Sequence, residues 1–245
     1  MLLVPLAALL PLASVGCGPP AGGLRLLEAP REVALNEVVE LRFDRELDPL
    51  SVTARSLSAR ADGRPAPVAL RVEGRRIEIR FDVDAALLAA PPAVLELDLT
   101  GRPSLHALRA QGGAPLEAPR RLRVALRGEL VADDERARLV SVGSGPVPDG
   151  GVWTHDGRLR LRFDGVLDPQ TLRPEALPLV PRRQGLDLAP LHPALRWTVR
   201  GAATELEVEV PDADGPLELR WDRVGLRDLG GELPEAPLVI SLSRT

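Results

Sequence analysis

The groups in this chain with the means to bind or catalyse are few. The most conspicuous are four carboxylates in two pairs of identical spacing, Asp44 with Asp48 and Asp164 with Asp168. Two carboxylates four residues apart can offer oxygen ligands to calcium or act as an acid and base couple. Asp48 and Asp168 also each precede a proline, where an aspartate accepts backbone N–H groups in a turn. Asp44 and Asp164 would then solvate a strand end. Recurrence of the whole pair favours this folding role over catalysis, since an active site seldom needs duplication, and calcium is the binding chemistry left for these four residues. Asp212-Ala-Asp-Gly215 carries the opening of a calcium loop without the remaining ligands and, like Asp62-Gly63, is expected to be a turn.

The other candidates are weaker. His106, His155 and His192 lie far apart, without the spacings that bring two imidazoles to one metal ion, so no metal site is expected. Trp153 and His155 sit in a stretch, Gly150-Gly-Val-Trp-Thr-His155, that shows no strand pattern and reads as a loop. They are the candidate ligand contacts, with packing of the indole on its own loop or across an interdomain joint as the alternative. Trp197 alternates with Leu195 and Val199, and Trp221 with Leu217 and Leu219, so both are expected to face a core. Ser141-Val-Gly-Ser-Gly145 lacks the strand-to-helix context of a nucleophile elbow, and no phosphate-cradling motif is present. No catalytic residue and no cofactor is expected.

The elements that must position these groups are strands. Apolar residues recur with period 2 in Val39-Leu41-Phe43, Ile77-Ile79-Phe81, Leu95-Leu97-Leu99 and Leu122-Val124-Leu126. The pattern returns in Leu159-Leu161-Phe163, Leu206-Val208-Val210, Leu217-Leu219-Trp221 and Leu238-Ile240-Leu242, mostly with charged residues between. Half-buried strands broken by Gly, Pro and Asp turns predict an all-β chain of antiparallel sandwiches. Only Asp84–Ala90 and the region from Pro103 to Arg109 suggest a helical turn. Hydrophobic residues make up 44% of the chain and charged residues 27%, enough apolar side chain for real cores. All 31 basic residues are arginine, as a GC-rich coding bias produces, and 35 acidic residues outnumber them, for a net charge of −4. That balance argues against a nucleic-acid partner.

Two blocks occur twice. Val39-Glu-Leu-Arg-Phe-Asp-Arg-Glu-Leu-Asp-Pro49 matches Leu159-Arg-Leu-Arg-Phe-Asp-Gly-Val-Leu-Asp-Pro169, so that Phe43 recurs as Phe163, 120 positions on. Leu108-Arg-Ala-Gln-Gly-Gly113 matches Leu226-Arg-Asp-Leu-Gly-Gly231, at an offset of 118 for Arg109 and Arg227. A repeat of this length is domain-sized. It divides the chain into sandwiches at 24–128 and 137–245, joined by a polar linker at 129–136. The repeated LRFDxxLDP block with its closing Gly-Gly turn resembles the S-layer-protein type of bacterial immunoglobulin-like domain, a family of structural and adhesive modules. The resemblance implies two tandem immunoglobulin-like sandwiches. In that family an Asp-x-x-Gly-Asn turn precedes the final strand; here Gly-Gly stands in both copies, and only the second keeps the Asp, as Asp228.

Residues 1–16 read as a signal peptide, with an apolar run from Leu2 to about Ala13 that is too short to span a bilayer, which takes about 20 residues. Small residues and Cys17, the only cysteine, follow, and 17–23 form a Gly-Pro-rich flexible tether. The segment resembles the lipobox of bacterial lipoproteins, which implies that Cys17 is the first mature residue and carries the lipid. Gly18 in place of Asp points, by the same resemblance, to the outer membrane; ordinary secretion is the alternative. The expected protein is a non-catalytic, envelope-anchored lipoprotein with a structural, adhesive or assembly role. Its expected partners are the membrane, through the lipid on Cys17, and an envelope protein or polysaccharide. A ligand-binding accessory module is the alternative, and an unrecognised secreted hydrolase the remote one.

Overall fold

Period-2 patterning becomes paired strands throughout the computed structural model, which describes residues 22–132, 135–143, 145–147, 152–183, 186–213 and 215–244. The chain is all-β. The first module holds β1 (Leu26–Glu28), β2 (Glu32–Ala34), β3 (Val39–Phe43), β4 (Leu57–Ala61), β5 (Arg64–Pro65), β6 (Val68–Glu73) and β7 (Arg76–Val83). A short helix α1 (Ala85–Ala89) follows, then β8 (Val94–Leu99) and β9 (Arg120–Arg127). The second module repeats the order with β10 (Leu139–Val142), β11 (Gly145–Pro146), β12 (Val152–His155), β13 (Arg158–Phe163), β14 (Leu179–Arg183), β15 (Leu186–Asp187), β16 (Ala194–Arg200), β17 (Ala203–Glu209), β18 (Leu217–Arg220) and β19 (Val239–Arg244).

In the first module β1, β3, β7 and β6 form one layer, and β2, β9, β8, β4 and β5 the other. In the second, β10, β13, β17 and β16 answer to the first layer, and β12, β19, β18, β14 and β15 to the second. Ile77, Ile79, Phe81 and Val83 of β7 face inward, as do Leu159, Leu161 and Phe163 of β13, and all are buried. The three phenylalanines of the chain, Phe43, Phe81 and Phe163, are core residues. Burying a side chain of this size is worth about 1.5–3 kcal/mol, so the alternation that defines the strands also supplies their stability.

The outward positions carry an Arg and Glu lattice. Arg158, Arg160 and Arg162 of β13 lie opposite Glu209, Glu207 and Glu205 of β17, and Arg121 and Arg123 of β9 lie opposite Asp98 and Glu96 of β8. Opposed charges on neighbouring strands are mutually favourable, which accounts structurally for many of the arginines.

Three features depart from the sequence reading. The sandwiches are not wholly antiparallel, because β2 runs parallel to β9 and β12 parallel to β19. The chain crosses between layers after β1, at Ala29-Pro30-Arg31, where Pro30 has no N–H to continue a ladder. Residues 103–109 form turns without a helix, whereas α1 lies where a helical turn was expected and is capped by Asp84, which accepts from Leu87 N. β18 ends at Arg220, and Trp221 opens a 3-10 turn. Its indole is still buried, stacked on Phe163 at 6.1 Å, with Nε1 donating to the Pro234 carbonyl.

The two modules share a sheet. β16 pairs with β7 as well as with β17, through Val199 opposite Val83 and Arg200 opposite Asp82, so one ladder runs from β1 to β11. The hairpins explain why. With Phe43 aligned on Phe163, Leu41 opposes Ile77 in the first module and Leu161 opposes Leu206 in the second. Beyond those points the first hairpin closes at Glu73 opposite Arg76, whereas the second runs on through Val199 opposite Thr204 and Arg200 opposite Ala203. The residues added to β16 are the ones that reach β7.

Candidate functional site

The recurring carboxylates are held by backbone. Asp48 Oδ1 accepts from Leu50 N at 3.0 Å and Asp168 Oδ1 from Gln170 N at 2.9 Å, each capping a single 3-10 turn that begins with the adjacent proline. Asp44 Oδ1 accepts from Arg25 N at 2.8 Å, and Asp164 Oδ1 from Arg138 N at 2.6 Å. The turns are also tied to the Gly-Gly blocks. Asp48 N donates to the Arg109 carbonyl and Asp168 N to that of Arg227, while the hydroxyls of Ser51 and Thr171 accept from Arg109 N and Arg227 N. Two blocks distant in sequence recur together because they bond to each other. Asp228, the carboxylate kept only in the second copy, is buried and accepts from Glu232 N and Ala137 N, closing its own Gly-Gly turn. Among the described residues no three His, Cys, Asp or Glu side chains gather as a metal site requires.

Trp153 and His155 are not on a loop. They belong to β12, paired in parallel with β19, where Trp153 lies opposite Leu242 and His155 opposite Arg244. In the first module the matching strand β2 carries Val33 and leads into Leu35, both buried. Trp153 and His155 therefore occupy inward positions in place of aliphatic residues. The indole of Trp153 is half-buried and lies so close to Gly145 that a Cβ there would sit 3.3 Å from the ring; its Nε1 is buried with no acceptor among the described residues. His155 is buried, and its Nδ1 accepts from Gly157 N at 3.1 Å. Burial first, and the charge of Arg244 second, hold its pKa below the ordinary imidazole value. His106 and His192 are exposed on different modules. Trp197 is half-buried and packs against both hydrophobic cores. Cys17 lies outside the described residues, as do Asp214 of the Asp212–Gly215 segment and Asp133 and Asp134 of the linker.

The seam between modules is the site that sequence reasoning missed. Val199 and Val166 of the second module are buried in the core of the first. Asn36, buried at the start of the first module, donates from Nδ2 to the carbonyls of Val131 (3.0 Å) and Gly201 (3.2 Å) and accepts from Val131 N at 2.8 Å. One amide thus holds both the linker and the tip of the long hairpin. Arg200 closes the joint from outside with two hydrogen bonds to Asp82, at 2.6 and 3.2 Å.

Over the seam, on the outer face of the shared sheet, lies a groove of about 470 Å³. Small side chains make its floor, since Ala69, Thr198 and Ala203 stand at outward positions that elsewhere hold Arg or Glu. Arginines from both modules surround it. Arg80 pairs with Glu78 at 2.9 Å, yet its Nε is buried without a partner. Glu205 pairs with Arg160 at 2.8 Å and Arg200 at 3.8 Å. The only trace of this groove in the sequence is the replacement of long charged residues by Ala and Thr at outward strand positions.

No protein-family model matches the chain, and no curated protein is detectably similar to it.

Proposed function

We propose that this protein is a non-catalytic lipoprotein of the bacterial envelope, anchored through Cys17, whose two immunoglobulin-like modules serve a structural, adhesive or assembly role. The observation that carries this reading is the seam. A shared ladder, a shared core and the Asn36 clamp make the two modules one continuous body, suited to holding a partner at a fixed distance from a membrane. The repeated carboxylates fit the same reading, because one oxygen of each is engaged by a backbone N–H group. Among the described residues no helix is long and apolar enough to cross a membrane, so attachment in this proposal rests on the lipid. Diacylation with N-acylation supplies several buried chains, where one chain alone binds only marginally. Metabolic labelling with palmitate tests it: the wild-type chain takes the label and fractionates with membranes, and Cys17→Ser does neither. Equal labelling of the two removes the anchor, and hydrolysis of glycan, ester or peptide substrates with a defined turnover by the purified chain removes the non-catalytic reading.

A second reading, in which the modules recognise a polysaccharide or a partner protein, draws support from the groove over the seam.

A further inference from the structure

We infer that the groove over the seam is a binding site for an acidic polysaccharide, one whose sugars carry carboxylates, with Arg71 and Arg162 as its principal cationic contacts. The inference rests on the ligand-binding reading above and is independent of the anchor.

The charge pairing within the groove is its first support. Arg71 of β6 stands across from Glu78, and Arg162 of β13 across from Glu205. Elsewhere on this face Arg76, Arg158, Arg160 and Arg200 each reach a directly opposed or diagonal carboxylate. Here each glutamate is already taken, Glu78 by Arg80 and Glu205 by Arg160 and Arg200. Asp164, also at the groove, accepts from the Arg138 backbone. Arg71 and Arg162 are left without a carboxylate within ion-pairing distance among the described residues, one on each module and both lining the same groove. A guanidinium is built to hold a carboxylate through two parallel hydrogen bonds, and its planar fork is partly organised in advance. Arg80, whose side chain also lines the groove, has a buried Nε without a partner.

The shape and the remaining polar groups select the ligand class. β17 and β13 are paired along both edges, whereas β6 is hydrogen-bonded only to β7 and leaves one edge free beside the groove, so strand addition by a peptide is an outcome that the test below separates from sugar binding. The side chains favour a sugar. Those present alternate guanidinium donors with carboxylate and hydroxyl acceptors, from Glu78, Glu205 and Thr198, a mixture that serves both the carboxylates and the hydroxyls of a uronic-acid chain. Leu70 and Val140, both partly exposed, offer apolar contact to sugar C–H faces. The protein's net charge of −4 repels a polyanion at long range. Binding at physiological salt, where the screening length is about 8 Å, must therefore come from local contacts.

The test uses the purified full-length chain and polygalacturonate, with dextran as the neutral polymer and polyglutamate as the acidic peptide, at about 0.15 M salt. Wild type is expected to bind polygalacturonate saturably and dextran not at all. The double variant Arg71→Ala, Arg162→Ala is expected to bind about tenfold or more weakly, as loss of charge-assisted pairs implies. Removing the same charge from the opposite layer of the first module, with Arg64→Ala and Arg120→Ala, is expected to leave binding unchanged. All four side chains are solvent-facing, so thermal unfolding of each variant should match wild type. Equal loss in both double variants, or polyglutamate competing as well as polygalacturonate for the Arg71-dependent site, overturns the inference. Polyuronate binding that survives the groove substitutions also overturns it while the broader ligand-binding reading stands; absence of binding to any polymer overturns it outright.

Discussion

The β6–β7 hairpin of the first module and the β16–β17 hairpin of the second occupy the same place in the repeat and end differently. In the first, the turn comes early, and its backbone does the local work: the Gly74 carbonyl accepts from Leu47 N and the Arg75 carbonyl from Phe43 N, both at 2.8 Å. In the second, the strands run past that point, so the turn is no longer there to serve the neighbouring LDP block. A side chain replaces it. Thr204, fully buried, accepts from Leu167 N at 2.9 Å and donates to the Gly165 carbonyl at 3.0 Å. The longer hairpin can then carry Val199 and Arg200 to the first module without leaving a buried N–H unpaired. The longer hairpin makes the joint, and the Thr204 hydroxyl bonds Leu167 N as the Gly74 carbonyl bonds Leu47 N in the shorter one.

The largest expected effect comes from breaking the joint where its side chain is buried. Val199 belongs to the second module by sequence and to the first by packing. Val199→Asp places an unpaired charge in that core, at a cost on the order of 4 kcal/mol. Hydrogen exchange should quicken at the amides of Ile77, Ile79 and Phe81 in the first module, although the substitution lies in the second. Faster exchange confined to β16 and β17 would mean that the shared core does not hold the modules together.

The hairpin comparison itself can be sharpened by one substitution made twice. Thr204→Val keeps the shape and removes the hydroxyl, leaving Leu167 N and the Gly165 carbonyl buried without partners, which should cost about 1–3 kcal/mol. At the equivalent position Arg75→Val should change stability by no more than about 0.5 kcal/mol, because the side chain is exposed and the bond to Phe43 N comes from the backbone. Urea denaturation of the two variants measures the contrast, and equal losses would refute the substitution of side chain for turn.

Much of this architecture was legible from local pattern. The inward residues of β3 and β13 are apolar at every second position, and Asp48 and Asp168 precede prolines at turns, so strands and caps follow from neighbours in sequence. β12 was hidden because its inward positions hold Trp153 and His155 where β2 and its continuation hold Val33 and Leu35. An indole and an imidazole break the aliphatic alternation that marks a strand. Its pairing partner, β19, is also far along the chain. The seam was hidden for a related reason. Val199 alternates with Trp197 and Leu195 as any core residue would, and nothing local says which core it enters. The groove follows from the seam, since Arg71 and Arg162 share one depression only after β16 has joined β7.

His155 provides the smallest effect and the one that most directly tests the β2 and β12 comparison. Its pKa lies below the ordinary 6.5, first through burial and second through repulsion by Arg244. The unfolded chain therefore binds a proton near pH 6.5 that the folded chain still refuses, and across that interval stability rises with pH. On acidification the contribution of the neutral imidazole is present above about pH 6.5 and is lost as pH falls toward the lower folded value. His155→Leu, which puts an aliphatic side chain in place of the imidazole, removes this term. Carboxylates contribute to acid sensitivity in both proteins and cancel when the two are compared. Urea midpoints taken at pH 7.5 and pH 5 should fall less for the variant than for wild type. Identical falls would show that the imidazole is as easily charged in the fold as outside it, and that β12 does not bury His155 as β2 leads Leu35 into its own core.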